Sequence, residues 1–305
     1  MPEWVGEHPT TDLDEAEPHL ASIQRFPVKS LDPERPEQAT LTAAGAFAGD
    51  REWAILDRPA DESYDPTMAD VGGSGDYVNG KKTAAVQRLR SRFVTWENGG
   101  PAIEIRRNDD PPDGAHRFAL AEAGDDVAAV HEPIDEWLSA YFDRPVSVRR
   151  DDAGHHDDRE RHGPTIVSTA TLREIATWFD FDLESARRRF RANLEIGGVP
   201  PFWEDQLFVD SGEVVALQVG DATIEGVHPC QRCVVPTRDL DTGAETANFR
   251  ETFIRQREAT LSAWTDCDRF DHAYRSMVNT RVPDSSVGLD IAVDDDVRIL
   301  GTRPE

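Results

Sequence analysis

The chain has 305 residues, 38% of them hydrophobic, and a formal net charge of −26. That length suits two domains or one large β-rich unit rather than a single simple core. The charge excludes sequence-independent nucleic-acid binding, which needs cations to neutralise phosphates. No apolar run approaches the ~20 residues of a membrane span. The opening stretch MPEWVGEHPTTDLDEAEPH is acidic and has no apolar centre, so it does not read as a secretory signal. The expected location is the cytoplasm, with no membrane partner. Acids are spread along the chain, while lysine occurs only as Lys29, Lys81 and Lys82. Such a surface reads as halophilic, strongly hydrated and screened by salt.

Residues 1–20 read as an acidic disordered tail. Alternation then predicts strands over 21–26 and 52–57. Residues 58–80, rich in Pro, Asp, Gly and Ser, read as a long surface loop. Strands are predicted near 92–97, 102–107 and 116–120. Ile134, Trp137, Leu138 and Tyr141 have helical spacing, which predicts a helix over 133–142 with Pro133 in its first turn. A short strand follows at 145–149. Residues 151–164 are polar throughout and read as a linker. Thr171 and Glu174 have capping-box spacing and open the next helix. A short Arg-rich helix is predicted over 183–190, then strands near 193–196, 207–209, 213–219 and 222–226. A helix over 249–263 and two strands near 288–300 close the chain. Short strands dominate, without a βαβ rhythm. The expected fold is therefore mainly β with peripheral helices (α+β), built on β-barrels.

Three cysteines, Cys230, Cys233 and Cys267, do not make a disulfide framework. Cys230 and Cys233 form a CxxC after a predicted strand. The pair is compatible with buried packing, with half of a zinc site or with redox-metal chemistry. Zinc would need His228 and Cys267 at no recognised spacing. Val234-Val235-Pro236 argues against a helix there, and so against a thioredoxin-like motif. Arg232 beside the pair favours the thiolate that binds metal.

Other groups suit an anion. Arg191 and Asn193 fall where a helix gives way to a strand, where a guanidinium fork and an amide can grip phosphate or a heterocycle edge. Arg187 and Arg188 read as a solvated helix face. Lys29, beside Ser30, and Arg51 are further candidate anion contacts. Ser168 and Thr169 precede a helix, as capping residues or as phosphate ligands. Asp205 and Asp239 read as loop hydrogen-bonding acids. A thiolate with several anion-binding groups suits an anionic, phosphate-bearing cofactor whose metal is held by one cysteine.

These residues carry a family resemblance. SIQRFPVKSLDPE and AGDREWAILD resemble the N-terminal β-barrel domain of MOSC proteins, placed here at 21–150. VSTATL, RRFRANLEIGGVPPFWEDQLF, IEGVHPCQRCVVPTRDLDTG and GLDIAVDDDVRIL resemble the MOSC domain, placed at 165–305 after the 151–164 linker. The likeness is to the amidoxime-reducing component type, here with a haloarchaeal-type composition. It implies a molybdenum-molybdopterin cofactor, independent of pyridoxal phosphate, with Cys233 as metal ligand and catalytic residue. It implies cofactor contacts from Lys29, Ser30, Arg51, Arg191, Asn193, Arg232, Ser168 and Thr169. It further implies reduction of small N-hydroxylated substrates, with a non-catalytic cofactor or sulfur carrier as the alternative. Ala192 stands where relatives often carry Pro. No cysteine-rich ferredoxin domain or membrane anchor is recognisable, so a separate electron-donor protein, ferredoxin or similar, is expected.

Overall fold

The computed structural model describes residues 17–60, 62, 76–96, 99–155, 163–209, 212–270 and 272–304. The first half contains β1 (His19–Ile23), β2 (Gln38–Thr40), β3 (Trp53–Leu56), β4 (Leu89–Thr95), β5 (Pro101–Arg107), β6 (His116–Ala119), α1 (Val127–Phe142) and β7 (Ser147–Arg150). The second contains β8 (Ile166–Ser168), α2 (Thr169–Trp178), α3 (Leu183–Phe190), β9 (Leu194–Gly197), β10 (Glu213–Val219), β11 (Ala222–Gln231), α4 (Phe249–Ala259), β12 (Arg275–Arg281), β13 (Asp290–Ala292) and β14 (Val297–Pro304). The fold is mainly β with peripheral helices, as the strand-rich pattern predicts.

One sheet has seven strands in the order β1-β9-β8-β12-β11-β10-β14. Its ends are stitched together by main-chain hydrogen bonds: Leu20 N to Asp295 O (2.9 Å), Asp294 N to Leu20 O (2.8 Å) and Val297 N to Pro18 O (2.9 Å). Alternate residues of these strands fill the interior, among them Ile23, Leu194, Val215, Leu217, Ile224 and Val278. The first strand thus belongs to a sheet made otherwise from the second half, and β2 pairs with β13 across nearly the whole sequence. A second core, with Val28, Trp53, Ile55, Leu89, Ile103, Ile105, Leu138 and Val148, fills the first half between its sheets and α1. A third, aromatic core packs Phe190, Phe202, Phe249, Phe253 and Tyr274 between α2, α3 and α4.

Several expectations are corrected. Order begins before residue 21, because Leu20 is fully buried in the barrel. Residues 1–16, most of the 58–80 loop and residues 156–162 lie outside the described residues. The start of the expected 151–164 linker is tied to the first half: Asp152 and Ala153 are exposed, but His155 is buried, and its main-chain N donates to Arg51 O at 2.8 Å. α1 starts at Val127, with Asp126 as its cap, so Pro133 lies inside the helix. The apolar stripe used to place its start begins only at Ile134; the preceding turns mix exposed Ala128, Ala129, Glu132 and Pro133 with half-buried Val127 and Val130. α2 is capped by Ser168, whose Oγ accepts from Thr171 N at 2.9 Å, while Glu174 instead accepts from Trp178 Nε1 at 3.0 Å. The apolar segment near 207–209 is not a strand. It finishes a 3-10 turn, Trp203–Leu207, packed so closely on β11 that a Cβ at Gly226 would fall 1.9 Å from Leu207 O. The last two strands do not pair with each other: β13 joins β2, and β14 joins β10.

Candidate functional site

β11 continues through Gln231, so Cys230 ends a strand and Cys233 sits on the turn beyond it. Opposite, β12 carries Met277 with a φ of +69°, and the register between the two strands slips beside Pro229 and Gln231. Both cysteines open onto a cleft of about 320 Å3 between the two halves of the molecule.

The cleft wall draws together seven of the nine residues singled out above. Lys29, Ser30 and Arg51 come from the first half; Arg191, Asn193, Arg232 and Cys233 come from the second. Three of them have left-handed backbones: Ser30 (φ +74°), Arg51 (+55°) and Arg191 (+58°). That conformation costs an L-residue about 1–2 kcal/mol, and such outliers concentrate at functional sites. Arg191 reaches it as the residue terminating α3, where its N bonds Arg187 O at 2.9 Å.

One buried ring unites the halves. The Phe26 centroid lies 5.0 Å from the Arg51 guanidinium carbon and 4.2 Å from that of Arg191. Lys29 is buried, donates to His155 O at 2.7 Å and stands 4.9 Å from the Tyr77 ring centre. Burial pulls the His155 imidazole down to about 4, so it is neutral near pH 7 and adds no charge there. Asn193 is buried with its amide engaged at both ends. Nδ2 donates to Gln24 O at 3.0 Å, and Oδ1 accepts from Thr165 N and Oγ1 at 3.3 and 3.2 Å. It therefore pins β1 to the start of β8 as well as lining the cleft.

The cysteines differ. Cys230 packs against the aromatic core, and its sulfur is met by the Arg232 guanidinium, whose other terminal nitrogen lies 3.0 Å from Met277 Sδ. Cys233 Sγ accepts from Val235 N at 3.4 Å. Neither cysteine is in a disulfide.

Ser168 and Thr169 do not line the cleft. Ser168 is buried as the α2 cap, and its N donates to Glu204 Oε2 at 3.3 Å. Conversely, the wall includes residues not singled out: Lys81, Gln87, Arg188 and Arg189. Arg188 is not on a solvated face, because it lines the cleft 3.5 Å from Asp32. Arg187 is half-buried and grips Glu195 with two bonds of 2.7 Å. Arg189 is buried, and donates to Pro236 O at 3.0 Å. Only the run RRRFR hinted at these roles; which arginines turn inward depends on the helix's docking.

The electrostatic contrast is strong. Among the described residues, Lys29, Arg51, Lys81, Arg188, Arg189, Arg191 and Arg232 line the cleft with one acid, Asp32, while Asp50 and Asp239, outside the lining, pair with Arg51 and Arg189. The chain as a whole carries 59 acidic and 33 basic residues. Gathering like charges in a partly desolvated cleft is unfavourable unless an anion compensates them.

Residues 158–298 match the MOSC domain, and residues 17–145 match the MOSC N-terminal beta barrel domain. The chain belongs to the MOSC-domain proteins. That family is associated with molybdenum-cofactor binding. No curated protein matches the chain. The residues present fit such a group: Cys233, outside any disulfide and on a turn at the cleft, with cations that suit a phosphate-bearing ligand. They do not build a zinc cage. Among the described residues no three His, Cys, Asp or Glu side chains converge. His228 instead contacts Arg269 and Arg275 at 3.2 and 3.1 Å. Among the described residues, no helix is long and apolar enough to cross a membrane.

Proposed function

We propose that this MOSC protein is a molybdenum-cofactor oxidoreductase that removes oxygen from small N-hydroxylated substrates, with Cys233 as the protein's metal ligand. The observation that supports it is the meeting of Cys233 with seven cationic side chains and one acid in a single cleft. When bound, the cofactor would supply the two-electron chemistry that converts an N–O compound, two electrons and two protons into the amine and water.

The chain's own residues bind and orient. Lys29, Arg51 and Arg191 neutralise the anionic end of the cofactor, and the shared Phe26 ring fixes two of those guanidiniums relative to each other. Arg232, braced by Phe190 O at 3.4 Å and by Met277 and Cys230, is held in the wall rather than swinging into solvent. Cys233 stays free of disulfide and offers its sulfur to the metal. Ser30 lines the same wall through its left-handed turn. Asp205 and Asp239 are not acid–base groups of this site. Asp205 is buried against Arg257 and Thr265, and Asp239 caps its own turn through Thr242 N at 2.8 Å. The electrons come from a separate protein donor.

Protein purified from cells supplied with molybdate should carry molybdenum and pterin in near-equal molar amounts. It should oxidise a reduced dye when given hydroxylamine or an N-hydroxy purine. Loaded protein that never turns over would instead be a carrier, and metal-free wild type would sink the reading.

A further inference from the structure

The turn that carries Cys233 is held by side chains that grip its carbonyls. Gln87 Nε2 donates to Val235 O at 3.3 Å, Arg189 to Pro236 O at 3.0 Å and Arg90 to Leu240 O at 2.7 Å. The grip on Cys233 itself comes from Tyr274, whose hydroxyl donates to Cys233 O at 3.1 Å. The same residue's main-chain O accepts from Arg232 N at 3.0 Å. Tyr274 thus holds two peptides of this turn: the 231–232 peptide through its backbone, and the 233–234 peptide, which carries Cys233 O, through its phenol. Its own position is rigid. The ring is buried, edge-on to Phe253 with centroids 5.2 Å apart, and the Arg250 guanidinium carbon lies 5.6 Å from its centre.

Resting on the reading that Cys233 binds the metal, we infer that Tyr274 is the positioning residue of that ligand: its hydroxyl holds the Cys233 peptide so that the sulfur faces the cleft. A thiolate ligand must be held close to one geometry for a metal site to be preorganised. Cys233 lies between the end of β11 and a single 3-10 turn, Val235–Thr237, so no regular element includes it. Without the hydroxyl, Cys233 O would be a part-buried acceptor lacking its partner, and the turn would sample other arrangements.

Tyr274→Phe removes one oxygen and keeps the ring. In full-length protein made without molybdate, the rate of iodoacetamide modification should be followed by peptide mass at Cys233, with Cys230 as comparator. The Cys233/Cys230 rate ratio should rise about fivefold, as the loss of one net hydrogen bond implies. Phe253→Leu loosens the same aromatic core but leaves the hydroxyl, and should leave the ratio unchanged. In molybdate-grown protein, Tyr274→Phe should shift the g-values of the paramagnetic molybdenum state, which report metal–thiolate geometry. A ratio within twofold of wild type, or an equal rise in Phe253→Leu, overturns the inference. Wild type that takes up no molybdenum overturns the functional reading instead, while the modification ratio still decides the role of Tyr274.

Discussion

Two clusters of charge, one spanning both halves of the chain and one within the second, are built on opposite principles. In the cleft, seven cations line one cavity, and three of them keep acid partners: Arg51 with Asp50, Arg188 with Asp32 and Arg189 with Asp239. In the other cluster, Glu204, Asp205 and Arg257 are all buried and face one another. Arg257 pairs with Asp205, its guanidinium carbon is 4.1 Å from the Phe202 ring centre, and Thr265 Oγ1 donates to Asp205 at 2.7 Å. Glu204 is held by Thr171 Oγ1 at 2.9 Å, and its Oε1 has no hydrogen-bond partner among the described residues. Burial, then the nearby Asp205, pushes the Glu204 carboxyl up to about 7. The difference teaches that opposite charges paired in the interior build scaffold, while a wall rich in one sign along a cavity suits a ligand of the other sign.

Substitutions can break that comparison. The largest effect belongs to Cys233→Ala, which should reduce molybdenum content below about one-tenth of wild type while leaving the thermal melt unchanged; elemental analysis and calorimetry read both. Arg257→Met should do the reverse. It leaves a buried carboxylate uncompensated and costs about 3–5 kcal/mol in denaturant melts. Molybdenum content in protein that remains folded should be unchanged. Loss of cofactor from well-folded Arg257→Met would dissolve the distinction.

Glu204 sharpens it through pH. Its folded pKa is raised, from 4.5 to about 7, so the stabilisation it offers is complete below pH 4.5 and disappears as pH rises through 7. The span is worth roughly 3 kcal/mol. His155, with its pKa lowered from 6.5 to about 4, works in the other direction, losing stability as pH falls through that interval. The informative quantity is therefore the difference between wild type and Glu204→Gln across pH 4–8. It should grow in favour of the variant as pH rises; a flat difference would mean Glu204 is ionised in the folded protein throughout. The smallest effect is at Ser168→Ala. Losing the α2 cap should cost about 1 kcal/mol, with cofactor content unaltered. A fall in pterin without a fall in stability would put Ser168 back among the cofactor contacts.

The sequence made the fold class legible through its short, alternating segments. It did not reveal β2 and β8, each three residues long, which are strands only because distant partners supply their hydrogen bonds. β12, RSMVNTR, opens and closes on arginine, which masks a strand that is nearly all buried. At the site, Lys29, Arg51, Arg191 and Cys233 could be singled out because their chemistry is rare or unusual in context. Arg189, Gln87 and Tyr274 could not, because each matters through a carbonyl far away in sequence that only folding brings within reach.

The stitch between β1 and residues 294–297 has a consequence for the order of events in the cell. His19 bridges to Asp296, so the barrel acquires its closing contact only after nearly the whole chain has been made. Lys29 and Ser30, on the segment that leaves β1, follow a strand that pairs with β9, residues 194–197. Pairing across so long a separation is slow, because the loop must be closed before any contact rewards it. A nascent chain still on the ribosome therefore exposes its thiols before it possesses a cleft.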